Sequence, residues 1–343
     1  MFKKHFALWM VFIMGIGYSN AQTTDTLKFV KQKKVPVRKT IIGKEQHYQF
    51  KDSTGFVYKK PKLFSFITNL PKDAAGMVKA PFEKGTADIH AAIIGSTVGL
   101  IIADQPLIEG VGKLSEHIHL SDEGIYNDVF KIKLGKTDVK IIRLPGNLNT
   151  ALYQLGQGFP SLLLGGGLYV YGKIKNDYRS ISTASQLAES FFLMGISTQI
   201  IKRVSGRESP FVATADGGKW RPLPSFSNYQ NHTPQYDAFP SGHLATMMSS
   251  VTIFAENYPE KKYIKPVGYS LIGLVGFAMM NNQVHWASDY PLALALGYLC
   301  AKQVAKNNRQ KLQGAQQRKR KTELNYTLSQ RYGVFMPGIV LNF

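Results

Sequence analysis

The chain carries a single cysteine, Cys300, among 343 residues. One thiol in an exported protein excludes an internal disulfide. Cys300 lies in the apolar run PLALALGYLCA, where a thiol behaves as a small buried hydrophobe. Acidic residues are also scarce: 22 Asp and Glu face 42 Lys and Arg, a formal charge of +20. That balance favours anionic partners such as phosphate esters, anionic head groups or nucleic acid. Uninterrupted apolar runs of about 18 residues, the length of a membrane span, are missing, so the shorter runs read as buried helices. No His, Cys and acidic residues stand at metal-ligand spacing, and no P-loop glycine pattern occurs. Neither a metal nor another cofactor is expected.

What is present begins with MFKKHFALWMVFIMGIGYSNAQ. Lys3 and Lys4 precede an apolar run from Phe6 to Gly17, and Ser19 and Ala21 form a small-residue cleavage site. Residues 1–21 therefore read as a signal peptide, which places the protein in the periplasm or at an envelope membrane and argues against nucleic acid as its partner. Residues 22–86 are polar and basic, with HYQFKDSTGFVYK alternating around a turn as short strands do. Six apolar segments follow, near 89–103, 158–172, 186–201, 243–255, 265–280 and 290–305. Asp88 and Asp104 mark the ends of the first, and 105–157 reads as an insertion with a strand-like KIKLGKTDVKIIRL. The fold expected is an all-α six-helix bundle over 87–306, soluble and membrane-adjacent, with a short β-containing N-terminal extension. Residues 307–343 are a basic linker and a strand-like tail. Basic runs at 31–62 and 302–321 suit either a solvated face or a hold on an anionic membrane surface.

Three clusters carry chemistry, each at the edge of an apolar segment. Lys202-Arg203-Val204-Ser205-Gly206-Arg207-Glu208-Ser209-Pro210 ends the third segment with cations. Phe239-Pro240-Ser241-Gly242-His243 opens the fourth, where free backbone N–H groups at a helix start make an anion site beside a histidine. His285-Trp286-Ala287-Ser288-Asp289 opens the sixth. A carboxylate one helical turn from a histidine accepts the Nδ1 hydrogen bond and leaves Nε2 free to attack. A solvated His–Asp pair, a capping Ser or Asp and a surface charge run are the structural alternatives. If the three ends converge, they form an anion pocket with a nucleophile, an acid and cationic clamps, the equipment of phosphoryl transfer.

These residues resemble the type 2 phosphatidic acid phosphatase/vanadium haloperoxidase superfamily, whose pattern is K-x6-RP, PSGH and SR-x5-H-x3-D. Order and spacing fit over residues 87–306, and PSGH and H-x3-D are complete. The resemblance implies that His285 is the nucleophile that becomes phosphohistidine, Asp289 its orienting partner and His243 the general acid. It implies that Lys202, Ser241 and the Gly242 N–H bind phosphate. Two family arginines are replaced, by Ser209 and by Met279, and Ala278 precedes the latter. Arg207 is the guanidinium expected to serve in their place. The activity implied is metal-independent hydrolysis of a phosphate ester or diphosphate, with a phosphorylated lipid or small phosphate ester as substrate. The alternatives are a vanadate-dependent haloperoxidase and a non-catalytic envelope relative with a weakened phosphate site.

Overall fold

A computed structural model of the chain describes residues 37–51, 54–134, 137–312, 323–331 and 334–342. The expected signal peptide, 1–21, lies outside the described residues, as does part of each basic run. The protein is mostly helical. Strands β1 (Arg38–Ile42), β2 (Glu45–Lys51) and β3 (Thr54–Lys59) form an antiparallel meander. The strands read around the turn in HYQFKDSTGFVYK are β2 and β3. Helix α1 (Leu70–Lys79), which the polar composition of 22–86 did not announce, leads to α2 (Ala87–His117). A hairpin, β4 (Tyr126–Leu134) and β5 (Thr137–Pro145), occupies the strand-like stretch, followed by α3 (Leu148–Leu155) and α4 (Gly158–Ile174). Then come α5 (Tyr178–Ser205), a short α6 (Phe226–Asn231), α7 (Gly242–Asn257), α8 (Ile264–Asn281) and α9 (Tyr290–Asn308). Strand β6 (Gln310–Lys311) closes the first sheet against β3. The tail, expected as one strand, is two: β7 (Glu323–Arg331) pairs antiparallel with β8 (Val334–Asn342).

The helix boundaries follow from local chemistry. Asp177 caps α5 by accepting from the Ser180 N–H at 3.3 Å, and Asn147 caps α3 by accepting from Thr150 N–H at 2.7 Å. At its other end α5 stops at Gly206, which takes the left-handed conformation with φ 56°. The apolar core joins Leu187, Leu193 and Met194 of α5, Leu244, Met247 and Ile253 of α7, Val275 and Met279 of α8 and Leu296, Cys300 and Val304 of α9. Helices α7 and α9 pack closely because Gly297 has no side chain. A Cβ there would stand 2.2 Å from the Ala245 carbonyl oxygen.

Two expectations about the apolar segments fail. The first does not end at Asp104: α2 runs on to His117, with Asp104 buried in its middle. Nor is it a core helix. Ile94, Val98 and Ile102 are exposed, Ile102 at 81%, and α2 buries only Asp104, Val111 and Ser115. It is also the one described helix long and apolar enough to cross a membrane. Leu163, Leu164, Val170 and Ile174 of α4 are exposed in the same way. The second basic run is partly neutralised rather than solvated, because Lys302 and Arg309 both pair with Glu256.

The far end of α7 is tied down. Arg179 donates to the Asn257 carbonyl at 2.6 Å and to Glu260 at 2.7 Å, and Tyr58 of β3 donates to Asn257 Oδ1 at 3.0 Å. The N-terminus of α7 lies about 24 Å from that anchor, at 1.5 Å per residue. The candidate site is built there.

Candidate active site

Three chain ends meet at one end of the helical core: the C-terminus of α5, the N-terminus of α7 and the turn before α9. Each brings one of the clusters read from the sequence. Lys202 is in the last turn of α5. Ser241 caps α7, its hydroxyl accepting from the Leu244 N–H at 3.4 Å, so Gly242 and His243 are the first helical residues. The N–H groups of such a first turn have no partner inside the helix. A Cβ on Gly242 would meet nothing within 4 Å, so open space lies in front of that turn.

The rings of His243 and His285 are 5.8 Å apart between centroids, one edge toward the other. His285 is 2% exposed. It does not sit on a helix with Asp289, as the four-residue spacing suggested. It precedes a 3-10 turn, Ala287–Asp289, that leads into α9. The capping carboxylate of that turn is Asp289, whose Oδ2 accepts from the Trp286 N–H at 2.8 Å. The Nδ1 of His285 lies 2.8 Å from the Ala238 carbonyl oxygen. A carbonyl oxygen only accepts, so Nδ1 carries a hydrogen, and in the neutral ring the lone pair is on Nε2. Asp289 Oδ2 is the second neighbour of Nδ1, at 3.5 Å. The orienting hydrogen bond expected from Asp289 thus comes from the Ala238 backbone, with the carboxylate as a close countercharge.

His243 is roofed by Tyr153 of α3, ring centroids 4.8 Å apart. Burial, then the neighbouring His285 and Lys202, push its pKa down to about 3. Lys202 donates to Asp237 Oδ2 at 3.1 Å and is 6% exposed.

Arg207 requires a correction. Expected as a phosphate clamp, its guanidinium is fully buried and all five N–H groups are engaged by protein. Nε and Nη2 donate to the Gly217 carbonyl at 3.3 and 2.7 Å. Nη1 donates to Ser288 Oγ at 2.5 Å and to Asp289 Oδ1 at 2.6 Å, and Nη2 also donates to Asp104 Oδ2 at 2.6 Å. Trp220 and Trp286 stand 4.8 and 5.3 Å from it. No donor remains for a substrate oxygen. Gly206 makes this placement: a Cβ there would be 1.8 Å from the Arg221 carbonyl oxygen.

The residue that sequence reasoning missed is Asp104. Its Oδ1 accepts from the Ser288 N–H at 3.0 Å and its Oδ2 from Ser288 Oγ at 2.5 Å. Burial pushes its pKa up, opposed by the bonds from Ser288 and Arg207. A lone carboxylate in an apolar run was the available signal. The two positions of the lost family arginines are filled without cations. Met279 is packed in the core, and Ser209 is buried with its N–H on the Pro234 carbonyl at 2.9 Å. Asn281, two residues after Met279, donates to the Ser121 carbonyl at 3.1 Å. Among the described residues no group of three or more His, Cys, Asp or Glu is placed to hold a metal ion.

Comparison with known proteins gives a family. Residues 183–311 match the model of the PAP2 superfamily. A lipid A 1-phosphatase of Porphyromonas gingivalis is 30% identical over 76 residues, 22% of this chain and 17% of that relative. The chain thus matches less than a fifth of the relative's length. Among solved structures, LpxE of Aquifex aeolicus aligns with TM-score 0.34 and 18% identity, over 46% of this chain and 83% of that one. A transmembrane PAP2-type phosphatidylglycerolphosphate phosphatase from Bacillus subtilis aligns with TM-score 0.32 and 16% identity, over 71% and 96%. The resemblance carried by the three sequence clusters is borne out over this stretch, where residues 183–311 match the PAP2 superfamily.

Proposed function

We propose that the protein is a phosphatase acting on a phosphorylated lipid at an envelope membrane, through a phosphohistidine on His285. The observation that carries the reading is the fixed tautomer of His285, its Nε2 free and its ring 5.8 Å from that of His243. In the first step Nε2 attacks phosphorus, the P–N bond forms and the bond to the leaving oxygen breaks. His243, which takes up a proton as the phosphate dianion binds beside it, gives that proton to the leaving oxygen. In the second step water attacks phosphorus, the P–N bond breaks and His243 takes the proton from the water. The ring of phosphorylated His285, still protonated at Nδ1, is positively charged, and Asp289 is its countercharge.

Lys202 and the α7 N-terminus, with Ser241 and the Gly242 N–H, hold the nonreacting phosphate oxygens. The cradle is thin in cations. Lys202 is shared with Asp237, Arg207 is occupied, and Ser209 and Met279 bring no charge. The enzyme is accordingly slow. The exposed apolar faces of α2 and α4 support a lipid surface as partner, with the bundle helices of 87–306 standing at it. The likeness to a lipid A 1-phosphatase supports a lipid phosphate as substrate.

The test is phosphate release from a panel of lipid phosphates, diphosphates and soluble esters. His285→Ala and His243→Ala are each expected to abolish it, and vanadate to inhibit by imitating the phosphoryl transition state. A purified His243→Ala/His285→Ala protein that keeps the wild-type rate would end this reading.

A further inference from the structure

The apolar helix α2 meets the site with a buried carboxylate. Of the 31 residues in α2, three are buried: Asp104, Val111 and Ser115. Val111 is apolar and Ser115 makes no bond to the catalytic turn. Asp104 makes three bonds to it and to its neighbour: two with Ser288, through N–H and hydroxyl, and one with Arg207. Ser288 lies in the 3-10 turn that carries Asp289. Arg207 holds the other oxygen of Asp289 at 2.6 Å. The remaining oxygen, Oδ2, faces the His285 ring.

We infer that Asp104 is a positioning residue, acting through Arg207 and Ser288 on Asp289 and so on His285. The charges are consistent with this. One guanidinium is shared by two carboxylates, both with fully buried side chains. With both ionised, one negative charge is left over in the network. A low-dielectric interior transmits such a charge strongly, and the nearest group that gains positive charge in the proposed reaction is His285. Without Asp104, Arg207 and Asp289 neutralise each other, and the turn loses both bonds that fix Ser288. Arg207 therefore serves the site as a strut between two carboxylates and touches no phosphate.

The inference rests on the phosphatase reading for its kinetic arm and stands apart from it in a spectroscopic one. The full chain is compared as wild type, Asp104→Asn, Arg207→Gln and the double variant, on 4-methylumbelliferyl phosphate and on phosphatidic acid in mixed micelles. Ser115→Ala is the control for the docking of α2, since Ser115 is buried on the same helix and outside the network. Asp104→Asn is expected to lower kcat about 10- to 100-fold, the usual effect of losing an outer partner of a reacting group, with KM within about twofold. The double variant should be no slower than the slower single variant, because the two residues act in series. In protein labelled with 15N-histidine, the Nδ1–H signal of His285, assigned by its loss in His285→Ala, should shift in Asp104→Asn and stay in Ser115→Ala.

Additive losses in the double variant, or equal effects of Ser115→Ala and Asp104→Asn, would overturn the inference. So would an unmoved signal with full kcat in Asp104→Asn. If Asp104→Asn does not melt cooperatively, Ser288→Ala replaces it: it deletes the bridging hydroxyl, keeps both charges, and should lower kcat severalfold and shift the same signal. If His285→Ala hydrolyses as well as wild type, the phosphatase reading fails, and the ring signal alone decides whether Asp104 positions His285.

Discussion

Acid should destabilise this protein through His243. In the fold, burial and the neighbouring His285 and Lys202 hold its ring neutral down to about pH 3. In the unfolded chain the same ring takes a proton near pH 6.5. The unfolded state therefore binds one more proton throughout that window, and stability falls as pH drops below 6.5. The slope is about 1.36 kcal/mol per pH unit, so lowering the pH from 7 to 5 removes about 2 kcal/mol through this ring, and the loss ends near pH 3. His243→Gln keeps a polar side chain that cannot take a proton. Chemical unfolding of both proteins at pH 7 and pH 5 gives the comparison. Wild type should lose about 2 kcal/mol more than the variant. Equal losses would refute the account of this ring as partly buried and neutral. The same geometry gives a binding result. A phosphate dianion placed beside His243 favours the charged ring, so inorganic phosphate should bind at pH 7 with uptake of a proton. Calorimetry in two buffers of different ionisation enthalpy measures that uptake.

Four further outcomes follow from other positions. Gly206→Ala places a Cβ 1.8 Å from the Arg221 carbonyl oxygen at positive φ. It should cost about 2 kcal/mol or more in unfolding experiments and lower kcat by displacing Arg207. Asp289→Asn keeps the size of the side chain but removes the countercharge of His285, and kcat should fall on the order of 10²-fold or more with the fold retained. Burial, with Asp73 beside it, pushes the Glu189 carboxyl up to about 9. The unfolded carboxyl ionises near 4.5, so this group lowers stability as pH rises from 4.5 toward 9. Glu189→Gln should therefore be more stable than wild type at pH 8, with the difference shrinking toward pH 5 in thermal melts. Cys300→Ser puts a hydroxyl into a fully buried apolar site beside Met77 and should cost about 1–3 kcal/mol by chemical unfolding.

The elements that build the site were legible where local chemistry sets them. Ser241 caps a helix, and the apolar runs near 158–172, 243–255, 265–280 and 290–305 are helices where their hydropathy marks them, whereas the run at 186–201 is the later part of a helix that starts at Tyr178. The meeting of Lys202, His243 and His285 was legible as motif order, since each cluster stands at a helix end. The role of Arg207 was not. Next to Lys202 in a basic cluster it reads as a ligand-binding cation, and only the fold brings Asp104 to it from 103 positions away. Asp104 itself reads as a boundary because an unpaired carboxylate is unfavourable inside an apolar helix. Its partners lie in the turn before α9, beyond the reach of any periodicity. The same limit hid the β3–β6 pairing, in which two residues after α9 complete a sheet begun before α1. His285 and Asp289 were placed on one helix because their spacing equals a helical turn, whereas a capping 3-10 turn brings them to similar proximity.

Tyr153 and Gly156, which lie over His243, come from a stretch that precedes the family-matched residues 183–311. The proposed reacting histidines and the residues that cover His243 are thus encoded in separate lengths of chain. Within the proposed reaction, a substitution between β5 and α4 bears directly on the acid, because a Cβ on Gly156 would stand 2.9 Å from the His243 Cβ.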